Sequence, residues 1–207
     1  RLVPKRFAWT YPKQTLISRI SEIPRVKKVS VKRVSGTELH IVFSEYVPAA
    51  LWCQAGDNAC VFLDREGYAF TTAPALMGSA FVRYEHFETE PTEKVNAFSA
   101  AFMERTQEFR EAAKTELGIN ISVVKQSAPT EIIYEVAGGG QIITSLDESF
   151  PDTFENLLTI WQSEQFSHLA PGTFQYIDLR FGNKVFVNDE LEAAIEEVIE
   201  ENTESEL

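Results

Sequence analysis

The residues able to do chemistry in this chain are few and scattered. The three histidines, His40, His86 and His168, lie far apart, and none stands near a cysteine or another histidine at metal-ligand spacing. His40 falls between Leu39 and Ile41, which puts it on the outward face of a strand. The sequence has no Gly-x-Ser-x-Gly elbow, no His-Glu-x-x-His and no phosphate loop. Gly138-Gly139-Gly140 is not followed by Lys-Ser/Thr and opens no helix, so it reads as a loose hairpin turn. Asp178 and Arg180 are two apart, hence on one face of a strand, with Tyr176 beside them. A hydrolase could use such a carboxylate. No base or nucleophile accompanies it, and a structural ion pair is the favoured reading. Asp64 with Gly67 reads as hairpin chemistry. This pattern predicts no catalytic residue, no cofactor and no metal ligand.

The two cysteines, Cys53 and Cys60, flank the turn residues Gly56-Asp57-Asn58, so the chain can reverse between them. A disulfide there is sterically feasible and stabilises by on the order of 2–3 kcal/mol. It would require an oxidising, extracytoplasmic compartment. Two reduced thiols are the alternative. No third cysteine or nearby histidine supports zinc, and Cys-x-x-Cys spacing is absent.

The elements that must position these residues fit a soluble globular composition. The 207 residues are 44% apolar and 24% charged, which excludes a disordered chain or a small disulfide scaffold. The longest apolar run, Val47 to Trp52, is far short of the roughly 20 residues a bilayer span needs. The first residue is Arg1, and the sequence is expected to be a fragment of a longer protein. The net charge of −12 is unevenly spread: residues 1–33 hold ten Lys/Arg and one acid, whereas 188–207 hold nine acids and no base. A basic head suits a solvated face or anionic lipid, and the acidic remainder disfavours nucleic acid.

Residues 12–23 predict a helix with Leu16, Ile17, Ile20 and Ile23 on one face, stopped by Pro24. Val26–Val34 and Glu38–Tyr46 predict an antiparallel hairpin, with Val29 and Val31 inward and Leu39, Ile41 and Phe43 on one face. Short strands follow at 60–64, 68–72 and 80–85, the first two joined by Arg65-Glu66-Gly67. A long helix is predicted over 92–117, with Val95, Phe98, Phe102, Phe109, Ala113 and Leu117 as its stripe and Gly118 as its cap. Strands at 119–125, 130–136 and 141–145 precede a helix opened by Asp152 and Glu155. A final hairpin, 175–181 and 184–188, turns at Gly182-Asn183. The fold class is therefore α+β, a small helix–hairpin unit followed by a mostly antiparallel β unit with two inserted helices. The terminal strand Lys184–Asn188 lies either at a sheet edge, where it can accept another chain, or inside the sheet. The acidic tail carries Leu191, Ala194, Ile195, Val198 and Ile199 at helical spacing and either docks as a helix or frays.

Four segments carry a resemblance: Ile23-Pro-Arg-Val-Lys-Lys-Val-Ser-Val-Lys-Arg, Leu39-His-Ile-Val-Phe-Ser-Glu-Tyr-Val-Pro-Ala, Phe62-Leu-Asp-Arg-Glu-Gly-Tyr-Ala-Phe and Tyr176-Ile-Asp-Leu-Arg-Phe-Gly-Asn-Lys-Val-Phe-Val. In identity and order they resemble the bacterial cell-division proteins FtsQ and DivIB, and together they span nearly the whole chain. The resemblance implies a single-pass membrane protein whose bulk lies outside the cytoplasmic membrane. Residues 1–46 would form a POTRA-like domain lacking its first strand and helix, 47–188 the family's β domain, and 189–207 an acidic tail. It implies a non-enzymatic divisome scaffold that binds FtsB- and FtsL-like partners and helps control septal peptidoglycan synthesis. Carried over by position, Arg180 and Phe181 match the Arg-aromatic step of the closing hairpin. Lys184, Val185, Phe186 and Val187 match the strand to which the partner adds its own. No small-molecule substrate or nucleic acid is implied. Tyr46, the cysteine pair and the acidic tail depart from the family pattern. The rival reading is a POTRA-bearing module of a secretion or outer-membrane assembly system.

Overall fold

A computed structural model describes residues 11–56, 59–75 and 80–189. The described residues form three α-helices and two sheets, one of two strands and one of ten. The small unit consists of α1 (Lys13–Ser21) and the antiparallel pair β1 (Val26–Arg33) and β2 (Leu39–Glu45). Pro24 forces the break after α1 because the residue before a proline avoids helical angles. Val31 is buried within this unit, whereas Ile41 and Phe43, on the predicted apolar face of β2, stay exposed, as does Val42 on its other face. A short helix lying over a two-stranded sheet offers too little apolar surface to cover both strands.

The large sheet contains β3 (Ala50–Cys53), β4 (Cys60–Leu63), β5 (Tyr68–Thr72), β6 (Arg83–His86), β7 (Val95–Asn96), β8 (Ile121–Gln126), β9 (Glu131–Val136), β10 (Gln141–Ser145), β11 (Tyr176–Phe181) and β12 (Lys184–Asn188). Their spatial order is β12-β11-β10-β9-β8-β6-β3-β4-β5-β7. Most junctions are antiparallel, but β10–β11, β3–β6 and β6–β8 are parallel, so the sheet is mixed. Parallel neighbours need a crossover. α2 (Ala100–Leu117) lies between β6 and β8 in sequence, and α3 (Phe150–Trp161) lies between β10 and β11.

Both helices pack on one face of this sheet. Phe109 of α2 stacks on Tyr134 of β9 at 4.1 Å between centroids and meets Phe150 and Phe154 of α3 edge-on. Tyr84 and Thr106 share a buried hydrogen bond of 2.9 Å between β6 and α2. Trp52, Leu63, Ile132, Ile142 and Ile177 complete this core. On the other face a smaller cluster gathers Leu51, Cys53, Cys60 and Ala73 under Phe62 and Phe81. Cys53 and Cys60 are opposite each other in the β3–β4 register and form a disulfide.

Two helix starts differ from the sequence reading. α2 does not begin near residue 92, because Lys94 adopts a left-handed φ of 63° and Val95–Asn96 pair with β5 instead. The cap is Ser99, whose side chain accepts from the Phe102 N–H at 3.1 Å, so Val95 is not part of the helical stripe. α3 is capped at Ser149, with Pro151 in its first turn and Asp152 behind it as a first-turn acid. Gly118 does close α2 in the left-handed conformation, at φ 70°.

Gly138-Gly139-Gly140 forms the β9–β10 hairpin turn as read, but a tightly packed one rather than a loose one. All three have positive φ, and Gly172 N–H donates to the Gly139 carbonyl at 3.0 Å. A Cβ on Gly140 would come within 2.6 Å of the Phe174 ring, which is fully buried. Gly140→Ala is therefore expected to destabilise the protein by about 1–3 kcal/mol, read as a lowered urea midpoint at unchanged slope.

Candidate partner-binding edge

The closing hairpin begins as β11, whose Ile177 and Leu179 are buried against the helices. The alternate residues Asp178 and Arg180 therefore lie on the open face. Asp178 is nonetheless 6% exposed, for it sits between Ile143 of β10 and Phe186 of β12 in the two registers. A buried carboxylate needs partners, and Arg180 supplies them. Its Nε donates to Asp178 Oδ1 at 2.9 Å, its Nη2 to Oδ2 at 2.6 Å, and its backbone N–H to Oδ1 at 3.1 Å. Nη1 reaches across β10 to donate to Glu131 on β9. Burial pushes the Asp178 carboxyl up, but the hydrogen bonds and charge of Arg180 outweigh it and hold the carboxyl below the usual range. Those same hydrogen bonds, accepted by Asp178, hold the Arg180 guanidinium charged, above its ordinary value.

Around Arg180 the ladder is irregular, with a register shift between Asp178 and Phe181. The Gly182-Asn183 turn is fixed to α3 by Asn156, whose Nδ2 donates to the Gly182 carbonyl at 2.7 Å. β12 then returns antiparallel to β11 and forms the end of the sheet. Val185 and Val187 pack against the main core, whereas Lys184 and Phe186 face outward. Phe186 is 52% exposed and Phe181 51%, and their rings meet edge-on at 5.3 Å. The Arg180 guanidinium lies 5.5 Å from the Phe181 ring centre. Along Lys184–Val187 the side away from β11 pairs with no strand among the described residues. His168 Nε2 meets Asp189 Oδ2 at 2.8 Å where the described chain ends, and the rest of the acidic tail lies outside the described residues.

The residues singled out from sequence are thus brought together, with different duties. Phe181, Lys184 and Phe186 are presented to solvent, and Val185 and Val187 hold the strand to the core. Arg180 is committed to Asp178 and Glu131, and both oxygens of Asp178 accept from it. Cys53 and Cys60 belong to strands near the far end of the sheet. Sequence reasoning missed Glu131 and Asn156. They stand 49 and 26 residues from their partners, and no local pattern points to them. Among the described residues no three His, Cys, Asp or Glu side chains converge on a metal position, and no helix is long and apolar enough to cross a membrane. No protein-family model matches the chain, and no curated protein is significantly similar to it.

Arg180→Ala would leave the Asp178 carboxylate buried without its counter-ion. The expected cost is about 1–3 kcal/mol at neutral pH. In the parent protein Asp178 titrates below its unfolded value. Its contribution is therefore complete above the unfolded pKa and disappears as pH falls through the lower folded one. In the variant the carboxyl titrates higher, so the gap between the two proteins should narrow on acidification from pH 7 toward pH 4. Urea titrations at both pH values check this, and a gap independent of pH would contradict it.

Proposed function

We propose that this chain is the extracytoplasmic part of a bacterial cell-division scaffold resembling FtsQ and DivIB. A small POTRA-like unit precedes a β unit, and the whole is held at the cytoplasmic membrane by an anchor outside this sequence. Its work is binding rather than catalysis. An FtsB- or FtsL-like partner adds a strand to β12, and the scaffold thereby helps control septal peptidoglycan synthesis. The observation that carries the reading is β12 itself, the last strand among the described residues, at the end of a ten-stranded sheet with Phe186 and Phe181 exposed beside it.

The physical basis is β-strand addition. An incoming strand completes main-chain hydrogen bonds along Lys184–Val187, which gives affinity with little dependence on sequence. Selectivity comes from side chains, and an exposed aromatic pair is the kind of anchor that dominates binding energy. Arg180 acts as a positioning residue, because it ties β11 to β9 and so stiffens the hairpin that presents Phe181. The resemblance supplies the identity of the partner class. The disulfide between Cys53 and Cys60 is compatible with an oxidising compartment.

The test is a pulldown from cell envelope with the tagged full-length protein. Combined Phe181→Ala and Phe186→Ala should reduce recovery of the small coiled-coil division proteins by about ten-fold or more, with the thermal melt unchanged. Val185→Pro removes one backbone N–H and places a ring in the path of an incoming strand, and it should have the same effect. Full recovery with both variants, each shown to be folded, would move the site away from β12. Recovery of no division protein by any form would overturn the divisome reading.

A further inference from the structure

At the other end of the sheet from β12, a cleft of about 420 Å³ opens between the chain crossing from β2 to β3, the β4–β5 hairpin and α2. Three cations line it: Arg65 from the hairpin loop, and Arg110 and Lys114 from α2. None of Arg65, Arg110 and Lys114 has an ion-pair partner among the described residues. The Arg110 Nε atom is fully buried and has no hydrogen-bond partner among the described residues. Glu111, the acid on this wall, accepts from Gln107 Nε2 at 2.8 Å.

The arrangement runs against local stability. Arg110 and Lys114 are four apart on one helix face, where like charges repel, and Arg65 faces the same cleft. A carboxylate on the opposite wall would have removed this repulsion. The wall is instead Val47 and Pro48, and Val47 is 71% exposed. A concentrated positive cluster inside a chain of net charge −12 is a feature a bound anion would relieve. Two guanidinium groups offer planar donor pairs that match carboxylates. The apolar wall beside them suits an aliphatic side chain, and the volume fits a short segment rather than a lone ion.

We propose that this cleft binds an acidic peptide segment, with carboxylates on Arg65, Arg110 and Lys114 and an apolar side chain against Val47–Pro48. The site is separate from the β12 edge and does not rest on the divisome reading.

The probe is an acetylated hexapeptide, Glu-Leu-Glu-Glu-Leu-Glu, titrated into the full chain by calorimetry, with amide shifts of α2 followed by NMR. The same peptide with Gln for Glu is the control. The Glu peptide should bind with shifts at 107–114, and the Gln peptide at least about ten-fold more weakly. Arg110→Gln with Lys114→Gln should cost at least about ten-fold in affinity, whereas Lys32→Gln with Arg33→Gln, an equal charge change on β1, should cost nothing. Lys114→Gln removes a like-charge contact, so it should weaken binding while leaving the melting temperature unchanged or slightly raised. Failure of the Glu peptide to bind, or full affinity in the double α2 variant, would overturn the proposal. Displacement by inorganic phosphate at equal concentration would reassign the cleft to small anions and overturn the peptide assignment.

Discussion

Among the described residues the ten-stranded sheet is covered by helices on one face only, and the rest of the structure follows from that asymmetry. Every strand under α2 and α3 must place its apolar residues toward them, so Tyr84, Val124, Ile132, Tyr134, Ile142 and Ile177 are buried in succession across the sheet. The alternate positions face outward and cannot all be apolar. Several of them carry charge pairs that cross strands. Lys125 on β8 sits 3.5 Å from Glu85 on β6 and 2.6 Å from Glu135 on β9, and Arg180 on β11 joins Glu131 on β9. Cross-strand pairs of opposite sign add modest stability and also fix register, because a slip by one residue would bring the core set to the open face.

Register matters most at the end of the sheet. Among the described residues β12 has a strand neighbour on one side, so it is held by its pairing with β11 and by Val185 and Val187 against the core. Asp178, buried opposite Phe186, would be a costly intruder without its fork of hydrogen bonds from Arg180. With the fork in place, the same pair becomes a brace: the guanidinium spans β10 and links the last hairpin to the middle of the sheet. For an edge proposed to receive another strand, such stiffness lowers the freedom lost on association.

Much of this was legible in the sequence, in proportion to how local each signal is. The final hairpin could be read because alternation and Gly-Asn turn chemistry are both contained within fourteen residues, 175–188. β10 was placed at 141–145 for the same reason. The start of α2 was misplaced because Val95 falls in helical phase with Phe98 and Phe102, yet Val95 is claimed by pairing with β5, a contact no local window contains. The parallel junctions were hidden likewise, since each joins strands separated by a helix or a long excursion. The three glycines at 138–140 looked like slack. Their requirement comes from Phe174 and Gly172, more than thirty residues downstream, packed too close for any side chain. At the edge, composition pointed to Phe181 and Phe186, but the commitment of Arg180 to Glu131 depends on a strand order that the sequence does not display.

The junction between the two sheets shows how one carboxylate can organise two scales at once. Asp64 Oδ1 accepts the N–H groups of Glu66 and Tyr68 and so shapes the β4–β5 loop, the hairpin duty its sequence position announced. Its other oxygen takes Lys27 of β1 at 3.3 Å, and the same ammonium reaches Glu66 at 3.1 Å. Tyr46, at the end of β2, stacks on Tyr68 and Phe70 beneath that cation. The small unit is therefore fastened to the loop that carries Arg65, and the wall formed by Val47 and Pro48 follows directly from Tyr46 in the chain. Two walls of the cationic cleft are thus set by one ion-pair and stacking cluster. A change in how the small unit sits would alter the spacing between Arg65 and the α2 cations before it altered anything at β12, which stands at the opposite end of the sheet.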